Sequence, residues 1–407
     1  MTIYGFEADR EVLGPEGGDV RLRFSVIRAT HLRVVCEQDG HTVCDGTGPC
    51  EVVSTLTEGE VMVQPAFEKT SYRLEASDGV STQFARVELT LRRPTFPDWP
   101  YNEISLWILS HRPLAPPFTF AVINDSQPAT DCPVAERPDY VQMRERIAEL
   151  APDFVMSIGD VVIYGQACEW EPYVANTLHR FVDEMGIPWI TAPGNHELIN
   201  HAGPENFARF AGAEDFWFDV AGLRVISLNA YHRLDPEVWL VDEDQLAFLE
   251  NRIATSVDEG IHDVVLAMHY PPYTPTQAGS CGHFLLNQYE GHFFDQRSAY
   301  RGSGEVLQLL ETHAPPVSLG LFGHVHVFGH YERSGVHHVV SGGGGAHFCA
   351  AGEYDARDDP DATLPFRDGI FHHFLLVTVR SSGGGDIAVQ VFRAGESDPV
   401  DGYSFEL

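Results

Sequence analysis

The chain has 407 residues and carries 26 lysines and arginines against 59 aspartates and glutamates, which gives a formal net charge of −33 at pH 7. A surface this acidic repels nucleic-acid backbones and anionic membrane faces, so we expect neither as a partner. Every apolar run is shorter than the about 18 residues that a membrane-spanning helix needs, and this excludes a helical span.

The first part of the chain has the pattern of short β-strands. Apolar and polar residues alternate over residues 20–26, 70–76 and 84–91, and glycine, aspartate and proline clusters separate these runs. Several short alternating strands at close spacing predict a small β-sandwich over residues 1–92. The strands and turn of residues 72–91 resemble those of bacterial immunoglobulin-like domains.

A proline-rich segment follows over residues 93–117. Its prolines are Pro94, Pro97, Pro100, Pro113, Pro116 and Pro117. Because proline removes a backbone donor and disfavours helix, we predict a linker or an arm laid against a neighbouring domain, without helix.

From residue 118 onward, short apolar runs alternate with segments of helical periodicity. The runs predicted as strands are residues 118–123, 154–158, 189–193, 223–228, 264–268 and 319–322. The segments predicted as helices are residues 140–151, 178–185 and 244–253. Two runs near the end, residues 374–379 and 387–392, are expected to pair antiparallel and close a second sheet. This order predicts an α/β domain over residues 118–407, with two stacked sheets covered by helices.

Five short polar blocks each follow one of the predicted strands. They are Asp125-Ser126-Gln127, Gly159-Asp160, Gly194-Asn195-His196-Glu197, His269 and Gly323-His324-Val325-His326. Oxygen and imidazole donors at successive strand ends favour a pair of divalent or trivalent cations. Such pairs cleave phosphate esters, so the blocks predict a small phosphorylated substrate.

The order and separation of the five blocks resemble those of the calcineurin-like metallophosphoesterase superfamily, over residues 118 to about 395. With the β-rich region in front, the whole chain resembles a bacterial purple-acid-phosphatase-like protein. The specific part of the likeness is Gly194-Asn195-His196-Glu197 followed by His269 and then Gly323-His324-Val325-His326. The fold implied is a four-layer α/β/β/α sandwich preceded by an immunoglobulin-like domain.

The resemblance also implies roles for single residues. Asp160 would bridge the two cations. The first cation would be bound by Asp125, Asp160 and His326, and the second by Asp160, Asn195, His269 and His324. A hydroxide shared by the cations would attack phosphorus. Asn195 and His196 would face the substrate phosphate, and His196 would assist departure of the leaving group.

Three positions depart from the family pattern. Gln127 stands where the family usually has a histidine, and its neutral oxygen would bind the first cation directly, bind it through water, or only hydrogen-bond the hydroxide. Ile163 stands where purple phosphatases have their tyrosine, which argues against a tyrosinate–iron(III) site and leaves Fe, Mn or Zn as the cations. Tyr164 stands where phosphoprotein phosphatases have a phosphate-binding arginine.

Other residues near the blocks complete the prediction. Arg297 and Arg301, in the segment 270–302, are candidates for the missing phosphate contact. Glu197 is expected to orient His196 or its loop and not to act as a base. The glycine run 342–345 is expected to approach the site closely. The cysteines are expected to be small buried thiols, with Cys132 and Cys168 as a possible bridge.

Several alternatives stay open from the sequence. The same donors serve a phosphomonoesterase or a phosphodiesterase, and the loss of the family histidine and arginine also fits a non-catalytic, metal-stabilised binding protein. The first ten residues do not have the pattern of a signal peptide, which favours the cytoplasm. The β-sandwich and the likeness to secreted phosphatases favour export. The oligomeric state does not follow from the sequence.

Overall fold

The computed structural model describes residues 1–47, 50–51, 56–112, 114–127, 136–231, 241–272, 302–348, 370–381 and 383–407. The chain divides into two compact units, one of residues 1–98 with 107–113 and one of residues 99–106 with 114–407. Within the described ranges, no helix combines the length and apolar character needed to cross a membrane.

The first unit consists of β-strands. In the described part of this unit they are β1 Thr2–Ala8, β2 Val12–Leu13, β3 Val20–Ile27, β4 His31–Cys36, β5 Thr42–Asp45, β6 Leu56–Val63, β7 Lys69–Ser77 and β8 Thr82–Leu91. They form a three-stranded sheet in the order β1-β3-β6 and a five-stranded sheet in the order β2-β8-β7-β4-β5. The all-β region expected before the α/β domain is thereby confirmed.

Alternation along the strands supplies the core of this unit. On β3, Val20, Leu22, Phe24 and Val26 are buried while the residues between them are not. This period of two places one face of each strand against the interior.

Two of the three cysteines of the first unit differ from the prediction of small buried thiols. Cys44 and Cys50 form a disulfide, whereas Cys36 is a free, buried thiol as predicted. In the second unit Cys168 is disulfide-bonded. The bridge suggested between Cys168 and Cys132 cannot be described, because Cys132 lies outside the described residues.

The second unit contains two six-stranded mixed sheets in its described part. Their strands are β9 Phe118–Val122, β10 Phe154–Ile158, β11 Trp189–Ala192, β12 Phe216–Val220, β13 Leu223–Leu228, β14 Asp263–Met268, β15 Val317–Phe322, β16 Phe328–Arg333, β17 Val336–Ser341, β18 His373–Val379, β19 Ile387–Arg393 and β20 Phe405–Glu406. One sheet has the order β11-β10-β9-β18-β19-β20 and the other β12-β13-β14-β15-β17-β16. Every residue of β10, β11, β13 and β14 is buried, as expected of strands covered on both faces.

Helices accompany the strands. Among the described residues they are α1 Tyr101–Ser110, α2 Pro138–Leu150, α3 Ala167–Tyr173, a π-helix Val174–Glu184, α4 Asn195–Leu198, α5 Gly203–Phe210, α6 Glu243–Ala254 and α7 Ser303–Thr312. The start of α6 shows the local reason for one boundary, because the Asp242 side chain accepts a hydrogen bond from the Gln245 N–H and caps the helix. The α/β class predicted for this region is confirmed.

Strand direction brings the polar blocks together. β9, β10 and β11 are parallel neighbours in one sheet, and β14 and β15 are parallel neighbours in the other. Parallel neighbours end at the same edge of a sheet, so the residues that follow each group of strands lie side by side. The Asn124 side chain joins the two groups, since its Nδ2 lies 3.4 Å from the carbonyl oxygen of Phe322 on β15 while its Oδ1 accepts from the Ile158 N–H at 2.7 Å.

Two expectations about the ends of this region change. The linker predicted over residues 93–117 contains α1, because its prolines stand before and after residues 101–110 and none interrupts them. The Asn102 side chain pairs with both backbone groups of Thr191, at 2.8 Å each, and so fixes the start of α1 on β11. The tail strands β18 and β19 do pair antiparallel, but they extend the sheet of β9 and do not close the other one.

Candidate metal centre

The first polar block places a buried carboxylate after β9. Asp125 adopts a φ of 56° and is fully buried. Its N–H donates to the Gly159 carbonyl at 3.1 Å, and both of its carboxylate oxygens lie 3.1 Å from the backbone N–H of His324. One carboxylate oxygen is also 3.4 Å from Nε2 of His326. Asp125 therefore connects the ends of β9, β10 and β15.

The second block places another carboxylate in the same conformation. Asp160 has a φ of 58° and is 1% exposed. Its Oδ1 accepts from the His196 N–H at 3.0 Å, and its Oδ2 lies 3.2 Å from Nε2 of His269. Burial alone would raise the pKa of Asp160, but the positive charges of His269 and His196 hold it below the ordinary value. This carboxylate is therefore ionised and faces several donors at once.

Gly159, which precedes Asp160, cannot be replaced by a residue with a side chain. Its φ is 86°, and a Cβ added there would lie 2.6 Å from the Cα of Gly194 and 2.7 Å from Nδ1 of His269. Two loops and an imidazole thus approach closely because no side chain intervenes.

Glu197 locks the two loops to each other. One oxygen of its buried carboxylate accepts the N–H groups of Val161 and Val162 at 2.7 and 3.1 Å, and the other accepts those of Asp160 and Gly194 at 2.8 and 2.7 Å. Burial and the neighbouring Asp160 charge raise the pKa of Glu197 to about 7, while the backbone donors oppose that shift. All four bonds go to backbone, so Glu197 positions the loops, as the sequence led us to expect.

Two imidazoles are held so that the same nitrogen of each is available. Nδ1 of His269 donates to the Ile158 carbonyl at 2.7 Å, and Nδ1 of His326 donates to the His347 carbonyl at 2.6 Å. A carbonyl can only accept, so each Nδ1 carries a proton, and in the neutral ring Nε2 is the nitrogen with a lone pair for a cation. Metal-binding histidines are commonly oriented in this way.

The electrostatics around His269 show how much negative charge converges here. Burial would lower the pKa of His269, but the carboxylates of Asp160 and Asp125 raise it to about 10. The pair of carboxylates therefore stabilises a positive charge at this point of the interior.

The donor atoms fall into two groups that share one residue. Asp160, His269 and His324 offer ligand atoms within 4.8 Å of one another, and Asp125, Asp160 and His326 do the same. The rings of His269 and His324 are 5.3 Å apart. Each group has the carboxylate and imidazole donors that transition metals and zinc accept.

Asn195 supplies a further sign that these residues fit a cation. Its side chain is 2% exposed, and within the described part of the chain its Oδ1 has no hydrogen-bond partner. A buried amide oxygen without a donor is costly, and a cation is one partner that would satisfy it.

Comparison with known proteins identifies the family to which the sequence belongs. The sequence profile described as calcineurin-like phosphoesterase matches residues 118–328, just over half of the chain. The chain belongs to the calcineurin-like phosphoesterase family. Membership supports metal-dependent hydrolysis of phosphate esters and agrees with the two clusters of residues that could hold a metal. A search of curated protein sequences found no match.

Solved structures of other proteins resemble the fold of this phosphoesterase. A purple acid phosphatase from yellow lupin seeds is similar over 95% of this chain and 71% of its own, with 14% identity and a TM-score of 0.53. The anchor protein of the inner membrane complex of Plasmodium is similar over 72% of this chain and 89% of its own, with 12% identity and a TM-score of 0.49. The first likeness supports the fold of the whole chain, and the second is too weak to argue from.

The phosphoesterase site accommodates the departures seen in the sequence. Nε2 of Gln127 donates to Oδ2 of Asp160 at 2.9 Å, so the contact that the structure shows is a hydrogen bond to the carboxylate shared by both groups. The Ile163 carbonyl accepts from Nδ1 of His196 at 2.6 Å. Ile163 therefore contributes through its backbone, and Tyr164 is 46% exposed.

Some site residues lie beyond the prediction or beyond the described structure. Arg297 and Arg301, proposed for the phosphate contact, lie outside the described residues. Arg137 and His347 were not singled out from the sequence, yet Nε of Arg137 donates to the Gln127 carbonyl, and the His347 carbonyl holds His326. Neither residue belongs to a recognisable motif, so no pattern pointed to them.

Proposed function

We propose that this protein hydrolyses phosphate esters with two metal ions that share Asp160. The first would be held by Asp125, Asp160 and His326, and the second by Asp160, Asn195, His269 and His324. The observation that supports this most directly is the presence of Asp160 in both groups of ligand atoms. Two-metal hydrolysis needs cations about 3.5–4 Å apart, and a shared carboxylate imposes such a separation.

The chemistry of the donors fits Fe, Mn or Zn. Oxygen and imidazole donors suit all three. When bound, the pair of cations would lower the pKa of a shared water to form the hydroxide nucleophile and would withdraw charge from the phosphoryl group.

The protein's own residues prepare this site. Glu197 fixes the loops of Asp160 and Asn195 through four backbone N–H groups, so the ligands need little rearrangement. The carbonyls of Ile158 and His347 select the tautomers of His269 and His326. Gln127 donates to Asp160 and limits the rotation of its carboxylate.

His196 would act on the substrate and not on the metals. Its Nδ1 is tied to the Ile163 carbonyl, and its Nε2 is 3.8 Å from Oδ2 of Asp160. The side chain is 27% exposed, in contrast to the buried ligands, so a substrate can reach it. In this position a protonated His196 would donate to the leaving oxygen as the ester bond breaks.

Replacement of His196 by alanine tests this assignment. We expect the kcat for p-nitrophenyl phosphate to fall by about 10²–10⁴-fold while the metal content, measured by elemental analysis, stays unchanged. Loss of metal in the variant would show that His196 is a ligand. Absence of turnover in the wild type with Fe, Mn and Zn, on both p-nitrophenyl phosphate and bis-p-nitrophenyl phosphate, would contradict the proposed function itself.

A further inference from the structure

Arg137 stands at the rim of the proposed metal centre, and none of the acidic side chains that the structure describes forms an ion pair with it. It is the residue before α2, and its half-buried guanidinium donates through Nε to the Gln127 carbonyl. Nη1 lies 3.4 Å from Nε2 of His347. The same Gln127 donates from its side chain to Asp160, so a single residue separates the guanidinium from the carboxylate shared by both donor groups.

Other arginines of α2 are engaged differently. Arg144 forms an ion pair with Glu136, and Arg146 pairs with Glu149 at 2.9 Å. Across the described ranges Arg137 forms no such pair, although the chain carries a net charge of −33. The nearby carboxylate of Asp139 lies instead 3.5 Å from Nε2 of His372. Within the described part of the chain, no carboxylate therefore neutralises the guanidinium, and its charge is available to an external anion.

The position of Arg137 is built by the same contacts that build the site. The His347 ring approaches the guanidinium while its carbonyl accepts from Nδ1 of His326. The Gln127 carbonyl fixes the guanidinium from the side of the Asp125 loop. Gln127 holds Nε and His347 contacts Nη1, which leaves Nη2 and the second N–H of Nη1 to donate to two oxygens of a phosphate.

We propose that Arg137 binds the phosphoryl group of the substrate and favours phosphomonoesters over phosphodiesters. This inference rests on the proposed function and supplies the phosphate contact that the sequence leaves open at Tyr164. A monoester carries a second negative charge near neutral pH, which a diester lacks. In a chain this acidic, one uncompensated cation at the rim offsets the repulsion of that second charge.

Phosphate binding tests the clamp without turnover. In metal-loaded protein, calorimetry with inorganic phosphate should show a Kd about 10- to 100-fold higher for Arg137→Met than for wild type, the range expected for a lost charge-assisted hydrogen bond. Arg137→Lys, which keeps the charge but not the fork, should lie between them. Arg146→Met is the matched control, because it removes the same charge nine residues further along α2, about 13 Å away. It should bind phosphate as wild type does.

Each outcome of this experiment decides the inference. Equal phosphate affinity in wild type and Arg137→Met would overturn it, as would a wild type that binds no phosphate or a loss of metal in Arg137→Met. The substrate preference is tested by kcat/KM, which should fall about 10- to 100-fold for p-nitrophenyl phosphate and less for bis-p-nitrophenyl phosphate. Equal falls would overturn the preference. A wild type that binds phosphate through Arg137 but hydrolyses neither ester would contradict the proposed function and leave the clamp standing.

Discussion

Replacement of His338 by phenylalanine should make the protein less sensitive to acid. His338 is fully buried on β17, between the rings of Tyr331 and Phe322, which lie nearly parallel to it at 5.3 and 6.0 Å. Neither ring nitrogen has a hydrogen-bond partner in the described structure. Burial, with a smaller contribution from the charge of Arg333, lowers the pKa of His338 to about 3.

The sign and size of the effect follow from this shift. The folded-state pKa of His338 lies below the ordinary value of 6.5, so its contribution to stability is present above pH 6.5 and is lost as the pH falls toward 3. Below pH 6.5 the loss is about 1.4 kcal/mol per pH unit, or about 2 kcal/mol at pH 5. The neutral ring also has a buried N–H without an acceptor, which costs about 1–3 kcal/mol at any pH.

Urea denaturation of metal-free protein between pH 5 and 8 measures this prediction. We expect His338→Phe to keep the ring stacking and to exceed wild type in free energy of unfolding by about 1 kcal/mol at pH 8. The difference should stay constant between pH 7 and 8, which serves as the internal control, and should grow by about 2 kcal/mol at pH 5. A difference that stays constant down to pH 5 would refute the reasoning about the buried imidazole.

Two further changes alter residues that support the proposed metal centre. In Glu197→Gln, one of the two carboxylate oxygens becomes an NH2 group, so two of the four backbone N–H groups lose their acceptor and the affinity for metal should fall at least about tenfold. In Gly344→Ala, the new Cβ would lie 2.0 Å from the Asn124 carbonyl oxygen, which now accepts the Gly344 N–H at 2.8 Å, so unfolding should become easier by about 1–3 kcal/mol. Metal titration and urea denaturation measure these effects.

Each of these variants has a matched comparison. Glu169→Gln is the control for Glu197→Gln, because one oxygen of the buried Glu169 already accepts both the Tyr164 and Gln166 N–H groups and a glutamine oxygen can replace it. Equal metal affinity in the two glutamine variants would show that Glu197 does not position the ligands. For Gly344→Ala, stability equal to wild type would mean that the loop moves freely away from Asn124.

The strands of the second unit were predictable because both of their faces are covered. Largely apolar runs at residues 154–158 and 223–228 coincide with β10 and β13. The helix α1 was not predicted because the prolines at both ends of its segment disfavour helix, although none lies within the ten residues that form it. The antiparallel tail pair was predicted from its two runs, but the sheet that it joins depends on long-range pairing with β9, which no local pattern encodes.

Some residues of the candidate site could be predicted from the sequence and others could not, for similar physical reasons. Donors that follow parallel strands, such as Asp125 and His269, were predictable because strand direction alone brings strand ends together. Arg137 and His347 were not, since one precedes a helix and the other follows a glycine run, and tertiary packing alone places them at the rim. The contact of Gln127 was left open between three alternatives because side-chain orientation depends on the neighbouring loop of Asp160.

Anomalous diffraction from crystals soaked with Mn or Zn tests the central claim most directly. The account predicts two peaks about 3.5–4 Å apart, with the Asp160 carboxylate between them and His269 and His326 on opposite sides. A single peak, or two peaks of which only one contacts Asp160, would contradict the proposal of a shared carboxylate.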